Sequence, residues 1–468
     1  MLKDNDTIDD LPEGNNSYEI ALGKIMGLVD FERSTRAPKH ACFHLERMLL
    51  LMKRLGNPHL KTPTIHLAGT KGKGSTAAMV TSVLSTSGYK VGLYTSPHLH
   101  SAVERIRLGL QPISRQEFAR LVETIWPKVN WVSQNDPYGS VTYFEMMTAM
   151  AFLYFSKIGT DFQVIEVGLG GRLDATNVVN PEVCGITSIS LDHVETLGDT
   201  LELIAYEKAG IFKEGVPVVV APQSEKVLDV FREVAAQRKV TLVEVSKMID
   251  WRRGEVDLSG QSFEVAGLYD EYNVRIKLLG DHQVENACTA IAIAETLIRK
   301  GYHISSDDIV NGLKQVTWPA RLEILSRYPK LVVVDGAHNP DSVRRLTQTI
   351  LSHFEYRQVF LIFGTLYGHD VTGMVAEISK LSPVAITVQS RHPRSMPNDE
   401  VKKIFSDQGV LTVFEAKNVG VATRKVLDMA SKDDLILGTG SLSIAAEMIQ
   451  EIRNISPEEN PYIKPNSN

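Results

Sequence analysis

The chain has 468 residues, with 50 Lys and Arg against 56 Asp and Glu, 43% apolar and 23% charged residues, and 3 Cys. That length predicts two or three domains, and the near-average composition excludes a disordered or fibrous chain. A formal charge of −6 argues against a general nucleic-acid binder, which carries a basic excess, while leaving room for one local cationic pocket.

Along the chain, residues 1–16 are polar and acidic and read as a loose lead-in without the basic-then-apolar pattern of a secretory signal. Thr64–Ala68 reads as a buried strand, Ser75–Ser87 as a helix stopped by Gly88, and Val91–Tyr94 as the next strand. Phe162–Val167 and Val183–Ile189 follow as short strands on either side of a Gly-rich loop. This alternation predicts a parallel sheet covered on both faces. Ser262–Val265 and Tyr272–Leu278 alternate with period two and suggest an antiparallel excursion, followed by a helix from Val284 to Lys300. After Trp318-Pro319 a second series begins, with strands at Leu331–Val334, Val359–Phe363, Ala385–Val388, Leu411–Phe414 and Leu435–Leu437. The expected fold is α/β in two domains, a larger P-loop ATPase-like doubly wound sheet over 1–317 and a smaller Rossmann-like one over 318–468. Pro319 marks the boundary between them, because it disfavours helix for the residue before it. The tail from Ser456 carries three Pro and reads as a mobile end or a surface strap. Cys42, Cys184 and Cys288 are far apart and form neither a CxxC pair nor a disulfide framework, which suits a reducing cytoplasm. No apolar run approaches the ~18 residues needed to cross a bilayer, so no membrane partner is expected.

The strongest local signal is Ala68-Gly-Thr-Lys-Gly-Lys-Gly-Ser-Thr76, between a predicted strand and a predicted helix. Glycines let several N–H groups face one anion, the helix N-terminus adds a favourable dipole, and Lys73 supplies a point charge. The run departs from GxxxxGK[ST], because Gly74 takes the hydroxyl position and delays it to Ser75. Phosphate binding is favoured over a glycine turn that only tightens packing.

Mg²⁺ prefers oxygen ligands, and Glu166 lies at a strand's C-terminal end, where open α/β sheets place ligand groups. It is either a metal ligand or the ion-pair partner of Arg172. Glu145 reads as structural, since Thr142-Tyr-Phe-Glu145 has the form of a capping box. His193 follows a strand and is equally well a cation ligand or a hydrogen-bonded structural residue. Lys208 sits at the end of a predicted helix starting near Thr200, where a cation favours the helix dipole. Asp335 and His338 in Val334-Asp-Gly-Ala-His-Asn-Pro340, and Ser441 in Gly438-Thr-Gly-Ser441, follow strands of the second series. They either close an ordinary sheet or line a cleft between the domains.

Taken together, His66–Ser75, Thr95-Ser-Pro-His-Leu99, Glu104-Arg-Ile-Arg107, Thr142–Glu145, Glu166–Asn177, Leu191-Asp-His193, Glu207–Gly210, Gly280–Asn286, Trp318-Pro-Ala-Arg321 and Asp335–Pro340 resemble the folylpolyglutamate synthase/dihydrofolate synthase family of the Mur ligase superfamily. The resemblance covers roughly residues 18–453. It departs from the usual pattern at Lys71, where many bacterial members have Asn, and at Ala320, where the family usually has Gly.

The resemblance implies an ATP-dependent amide ligase that adds L-glutamate to folates, and to dihydropteroate, through an acyl phosphate. It implies ATP contacts from Gly69, Thr70, Gly72, Lys73, Gly74, Ser75, Asn286, Arg321 and Asp335, and Mg²⁺ ligands Ser96, Glu166 and His193. Lys208 matches a lysine carbamylated in relatives, which would then join a second metal. His338 and Ser441 would help to place glutamate, and Thr142, Tyr143 and Leu173 match the pterin-binding region. Lys73, Lys208, Asp335, His338 and Ser441 are thus the expected catalytic set, with ATP, Mg²⁺ and a monovalent cation such as K⁺ as cofactors. A cytoplasmic monomer acting on small molecules is expected.

Two rivals share parts of this pattern. A Mur-type ligase acting on a UDP-sugar peptide usually carries a nucleotide-sugar domain before the P-loop, and only 68 residues precede Gly69. A non-catalytic ATP-binding switch would need the P-loop but not Lys208, Asp335 and His338 together.

Overall fold

The computed structural model describes residues 16–32 and 43–458. Cys42, residues 1–15 of the expected lead-in and the tail beyond 458 lie outside the described residues. Asn16 opens a helix, Asn16–Met26, instead of ending a loose segment.

The larger sheet comprises β1 (Thr64–Ala68), β2 (Val91–Tyr94), β3 (Ile106–Leu108), β4 (Gln111–Pro112), β5 (Phe162–Glu166), β6 (Val183–Ile186), β7 (Val218–Val220) and β8 (Leu242–Glu244). Their order is β4-β3-β2-β5-β1-β6-β7-β8. All pairs from β2 to β8 are parallel, whereas β3 and β4 add an antiparallel edge that the alternation did not announce. β1, β5 and β6 are buried along their whole length, polar Thr64, His66, Gln163 and Glu166 included, because helices cover both faces of the sheet. Apolar side chains of helices Lys73–Thr86 and Asp281–Arg299 fill one face. Helices Arg115–Asn135 and Tyr143–Ile158 pack on the other.

β9 (Asp250–Asp257), β10 (Gly260–Ala266) and β11 (Glu271–Ile276) form the expected antiparallel excursion, with one strand more than the alternation suggested. The second sheet comprises β12 (Glu323–Ser326), β13 (Leu331–Val334), β14 (Val359–Phe363), β15 (Val384–Thr387), β16 (Val413–Glu415) and β17 (Leu435–Thr439). Its order is β12-β13-β17-β14-β15-β16, parallel apart from the edge strand β12. Apolar cores lie on both of its faces.

Several boundaries move for physical reasons. The helix after β1 starts at Lys73, because Gly72 adopts a left-handed φ of 89° and serves as its N-cap. The β6 strand ends at Ile186, and the backbone beyond it turns so that Ser188 O accepts from Thr70 N and Lys71 N. The Leu411 end of the expected fourth strand is fully solvent-facing, and pairing begins only at Val413. At the C-terminus, Glu458 accepts from Tyr18 Oη (2.5 Å), Ser101 Oγ (2.6 Å) and Ala102 N (3.1 Å), so this part of the tail straps the first domain.

Candidate active site

The carboxyl ends of β1, β5 and β6 face the carboxyl ends of β13 and β17 across one cavity of about 2700 Å³. The strand ends place ligands here because the loops that leave them are free of the ladder and point outward. Of the residues singled out in the sequence, Gly69, Thr70, Gly72, Lys73, Gly74, Ser75, Ser96, Thr142, Glu166, Leu173, His193, Lys208, Asn286, Arg321, Asp335, His338 and Ser441 all line it. Tyr143 does not. It is buried in the core with the Arg105 guanidinium 5.2 Å from its ring centroid, and Phe144 takes the cavity wall. One residue along a helix is a rotation of about 100°, which separates the two rings.

At the end of the cavity on the larger sheet, the loop between β1 and its helix is drawn tight. A Cβ at Gly72 would sit 2.4 Å from Asn286 Oδ1, so only glycine permits this approach. Lys73 Nζ curls back over the loop to Gly69 O (3.1 Å) and Thr70 O (3.4 Å) and lies 4.0 Å from Glu166 Oε1. Glu166 also accepts from Ser96 N at 3.2 Å. The alternative partner of Glu166 fails, since Arg172 pairs with Glu207 at 3.0 Å. Burial pushes the Glu166 carboxyl up to about 7, with Lys73 opposing the shift. A buried acid so weakly compensated fits a hard cation, and the Ser96 and His193 side chains line the same cavity. Among the described residues no three His, Cys, Asp or Glu side chains converge on one metal position. Mg²⁺ needs no such cluster, because it is usually held by one or two carboxylates together with phosphate oxygens and water.

Lys208 is the penultimate residue of helix Leu201–Ala209, which starts where the sequence suggested and is capped by Thr200. It is buried, with 4% of its surface exposed. Burial, reinforced by Lys73, pushes its ammonium down to about 7. A solvated helix-end cation would show neither feature. His193, at φ 51°, begins the short helix Val194–Leu197, its ring exposed beside Asp192.

The other end of the cavity is held by its own backbone. Asp335 accepts from Leu322 N (2.7 Å) and Ala337 N (2.8 Å), while burial raises its carboxyl and Arg321 opposes the shift. Arg321 sits between two residues with left-handed backbone, Ala320 at φ 55° and Leu322 at φ 45°. Ala320 therefore tolerates a conformation that glycine would adopt at lower cost, of about 1 kcal/mol. Asn339 and Ser342 form a capping box for helix Pro340–His353. Ser441 caps helix Leu442–Arg453 by accepting from Ile444 N at 3.2 Å.

Sequence reasoning missed two residues of this cavity. Asp192 binds Lys71 Nζ at 2.8 Å, and the His369 ring lies 5.3 Å from that of His338. Asp192 was visible inside Leu191-Asp-His193. His369 offered only its place in a loop after a strand.

Residues 67–294 match the Mur ligase middle domain and residues 320–442 the Mur ligase glutamate ligase domain. A dihydrofolate synthase/folylpolyglutamate synthase of Bacillus subtilis is 34% identical over 412 residues, covering 87% of this chain and 95% of its own. This chain belongs to the dihydrofolate synthase/folylpolyglutamate synthase family. A Mycobacterium tuberculosis folylpolyglutamate synthase complexed with ADP and AMPPCP shares the fold at a TM-score of 0.83 and 32% identity, covering 88% of this chain and 96% of that one. E. coli FolC in complex with DHPP and ADP gives 0.80 at 28% identity, covering 93% and 98%. As a member of the folylpolyglutamate synthase family, the chain is an ATP-dependent ligase that adds glutamate to folates. Family membership sets aside both the UDP-sugar-peptide ligase and the non-catalytic switch. No helix among the described residues is long and apolar enough to cross a membrane.

Proposed function

We propose that this ligase adds the first glutamate to dihydropteroate as well as later glutamates to reduced folates, through one acyl-phosphate mechanism. The observation that carries the reading is the single cavity onto which both the P-loop and the Asp335–His338 loop open. A carboxylate resists attack by an amine, so the acceptor first takes the γ-phosphoryl group of ATP. The neutral α-amine of L-glutamate then attacks the acyl carbon, a C–N bond forms and inorganic phosphate leaves.

In this reading the loop Gly69–Ser75 cradles the phosphates, with Lys73 against the transferring group. Asn286, Arg321 and Asp335 complete the ATP site, and Asp335 braces the turn that presents Arg321. Ser96, Glu166 and His193 would hold Mg²⁺, which would supply positive charge against the phosphoryl oxygens. The lowered Lys208 ammonium supports carbamylation, because only a neutral amine reacts with CO₂. The resulting carbamate would present oxygens where an ammonium repels a cation. Thr142, Leu173 and Phe144 face the pterin, with Tyr143 supporting from beneath. His338 and Ser441 place glutamate on the second domain, for which the match of residues 320–442 to a glutamate ligase domain is the support. Closing the two mouths on each other excludes water from the acyl phosphate.

The domain boundary falls between 317 and 318, supported by the lack of sheet strands between Ile276 and Glu323. The buried free thiols of Cys184 and Cys288 support a reducing, cytoplasmic setting. A monovalent cation such as K⁺ accompanies Mg²⁺ by resemblance alone. The deciding experiment incubates the protein with ATP, Mg²⁺ and glutamate, offers dihydropteroate and tetrahydrofolate separately, and weighs the products. Glutamylation of both supports the proposal, and glutamylation of tetrahydrofolate alone removes the first activity.

A further inference from the structure

Lys71 lies inside the nucleotide loop, yet the reaction described above gives it no task. Its amide is turned away from the phosphate cradle, since Lys71 N donates to Ser188 O at 3.1 Å beside the Thr70 N contact to the same oxygen at 2.8 Å. Its side chain also leaves the loop. The ammonium donates to Asp192 Oδ2 at 2.8 Å and reaches His338 Nε2 at 2.6 Å. Lys73, two residues on, keeps its ammonium over the loop. One lysine therefore serves the nucleotide side, and the other crosses the cavity to the second domain.

The contact determines the state of His338. Its Nδ1 lies 2.8 Å from Gly336 O, and a carbonyl only accepts, so Nδ1 carries the proton. Nε2 then presents a lone pair, to which the Lys71 ammonium donates. Both ring nitrogens are engaged, so the imidazole can neither swap tautomer nor rotate without losing a bond. Lys71 is itself held by Asp192, from the loop after β6. The Lys71–His338 bond forms only while the two sheet mouths face each other.

We propose that Lys71 is a positioning residue for the amino-acid half of the reaction, with its Asp192-clamped ammonium fixing the tautomer and heading of His338. The nucleotide loop thereby sets the site that receives glutamate. This rests on the reading of His338 as a glutamate-placing residue.

Steady-state kinetics on the full chain test it with Lys71→Met, Lys71→Arg, His338→Ala and the double variant Lys71→Met/His338→Ala. Lys71→Met is expected to raise the KM for glutamate about tenfold or more, the range for losing a charged hydrogen bond, with the KM for ATP and folate within about twofold. Lys71→Arg, which keeps charge and reach, should recover most of the loss. In the His338→Ala background, Lys71→Met should add little, because its effect passes through the missing ring. An equal loss for all three substrates, a change confined to ATP, or full multiplication of the two single effects would overturn the proposal. If His338→Ala raises the glutamate KM and Lys71→Met does not, the Lys71 inference alone falls. If His338→Ala leaves the glutamate KM unchanged, the glutamate reading of His338 falls and takes the inference with it. Should Lys71→Met fail to fold, Asp192→Asn loosens the same clamp and must raise the glutamate KM; an unchanged value there overturns the proposal.

Discussion

The two mouths of the cavity follow the same topological rule but differ in how their charges are satisfied. At the first, on the larger sheet, Glu166 and Lys208 are buried with little direct compensation, and burial moves both toward about 7. At the second, on the smaller sheet, Asp335 is partly buried, two backbone N–H groups hold its oxygens, and both nitrogens of His338 are engaged. The first mouth is electrostatically open and suits a ligand that brings its own charges, such as a magnesium nucleotide. The second is largely completed by its own backbone and suits a small zwitterion. Burial raises the carboxyl at both mouths, but two backbone N–H groups hold Asp335 where only one holds Glu166.

Removing the point charge at the open mouth should have the largest effect. Lys73→Ala is expected to lower the rate of ADP formation by about 10³-fold or more, measured by coupled ADP release. Near-normal turnover would break the contrast between the mouths.

Next in size is a stability effect. The folded Glu166 pKa of about 7 lies above its ordinary value of 4.5, so the native state holds this proton more tightly. Its stabilising contribution is full below pH 4.5 and is lost as pH rises through about 7. Glu166→Gln does not titrate and should be more stable than the parent at pH 8 by about 3 kcal/mol without nucleotide, and by far less at pH 5. Denaturant melts at the two pH values check this. An equal difference at both would show that the acid is already compensated.

A smaller effect separates a carbamate from a bare amine at Lys208. The neutral amine declines as pH falls below about 7, so dependence on added bicarbonate should grow there. In CO₂-depleted buffer the rate should drop about tenfold and recover with bicarbonate, while Lys208→Ala should not respond. A parent enzyme indifferent to CO₂ would leave Lys208 as a buried amine.

The smallest effect lies outside the cavity. Glu458→Ala removes the acceptor for Tyr18, Ser101 and Ala102, and should lower stability by about 1 kcal/mol, seen as a small fall in the thermal midpoint. No change would make the strap incidental.

Much of the mouth on the larger sheet was legible in sequence because it is local. A buried strand, a glycine run and a helix are contiguous, and their conformations follow from backbone freedom and apolar periodicity. The Thr142–Glu145 cap was legible for the same reason, and the structure shows both halves of that box. It also adds a buried ion pair from Glu145 to Arg47 that no local pattern announces. Tyr143 and Phe144 are neighbours in sequence, and only the docking of their helix decides which ring meets the cavity. The partner of Glu166 was not legible either, because Arg172 is near in sequence yet turned toward Glu207.

From its residue pattern alone, this chain specified the central strands of both sheets, its phosphate-type loop and the polar residues at the ends of both sheets. Tertiary structure decided which of those residues meet and how much water each retains. Lys71 reaches His338 across 267 positions of chain, and Glu166 and Lys208 shift only because the folded protein surrounds them. Periodicity and capping act over a few residues, whereas contact and desolvation belong to the whole packed molecule.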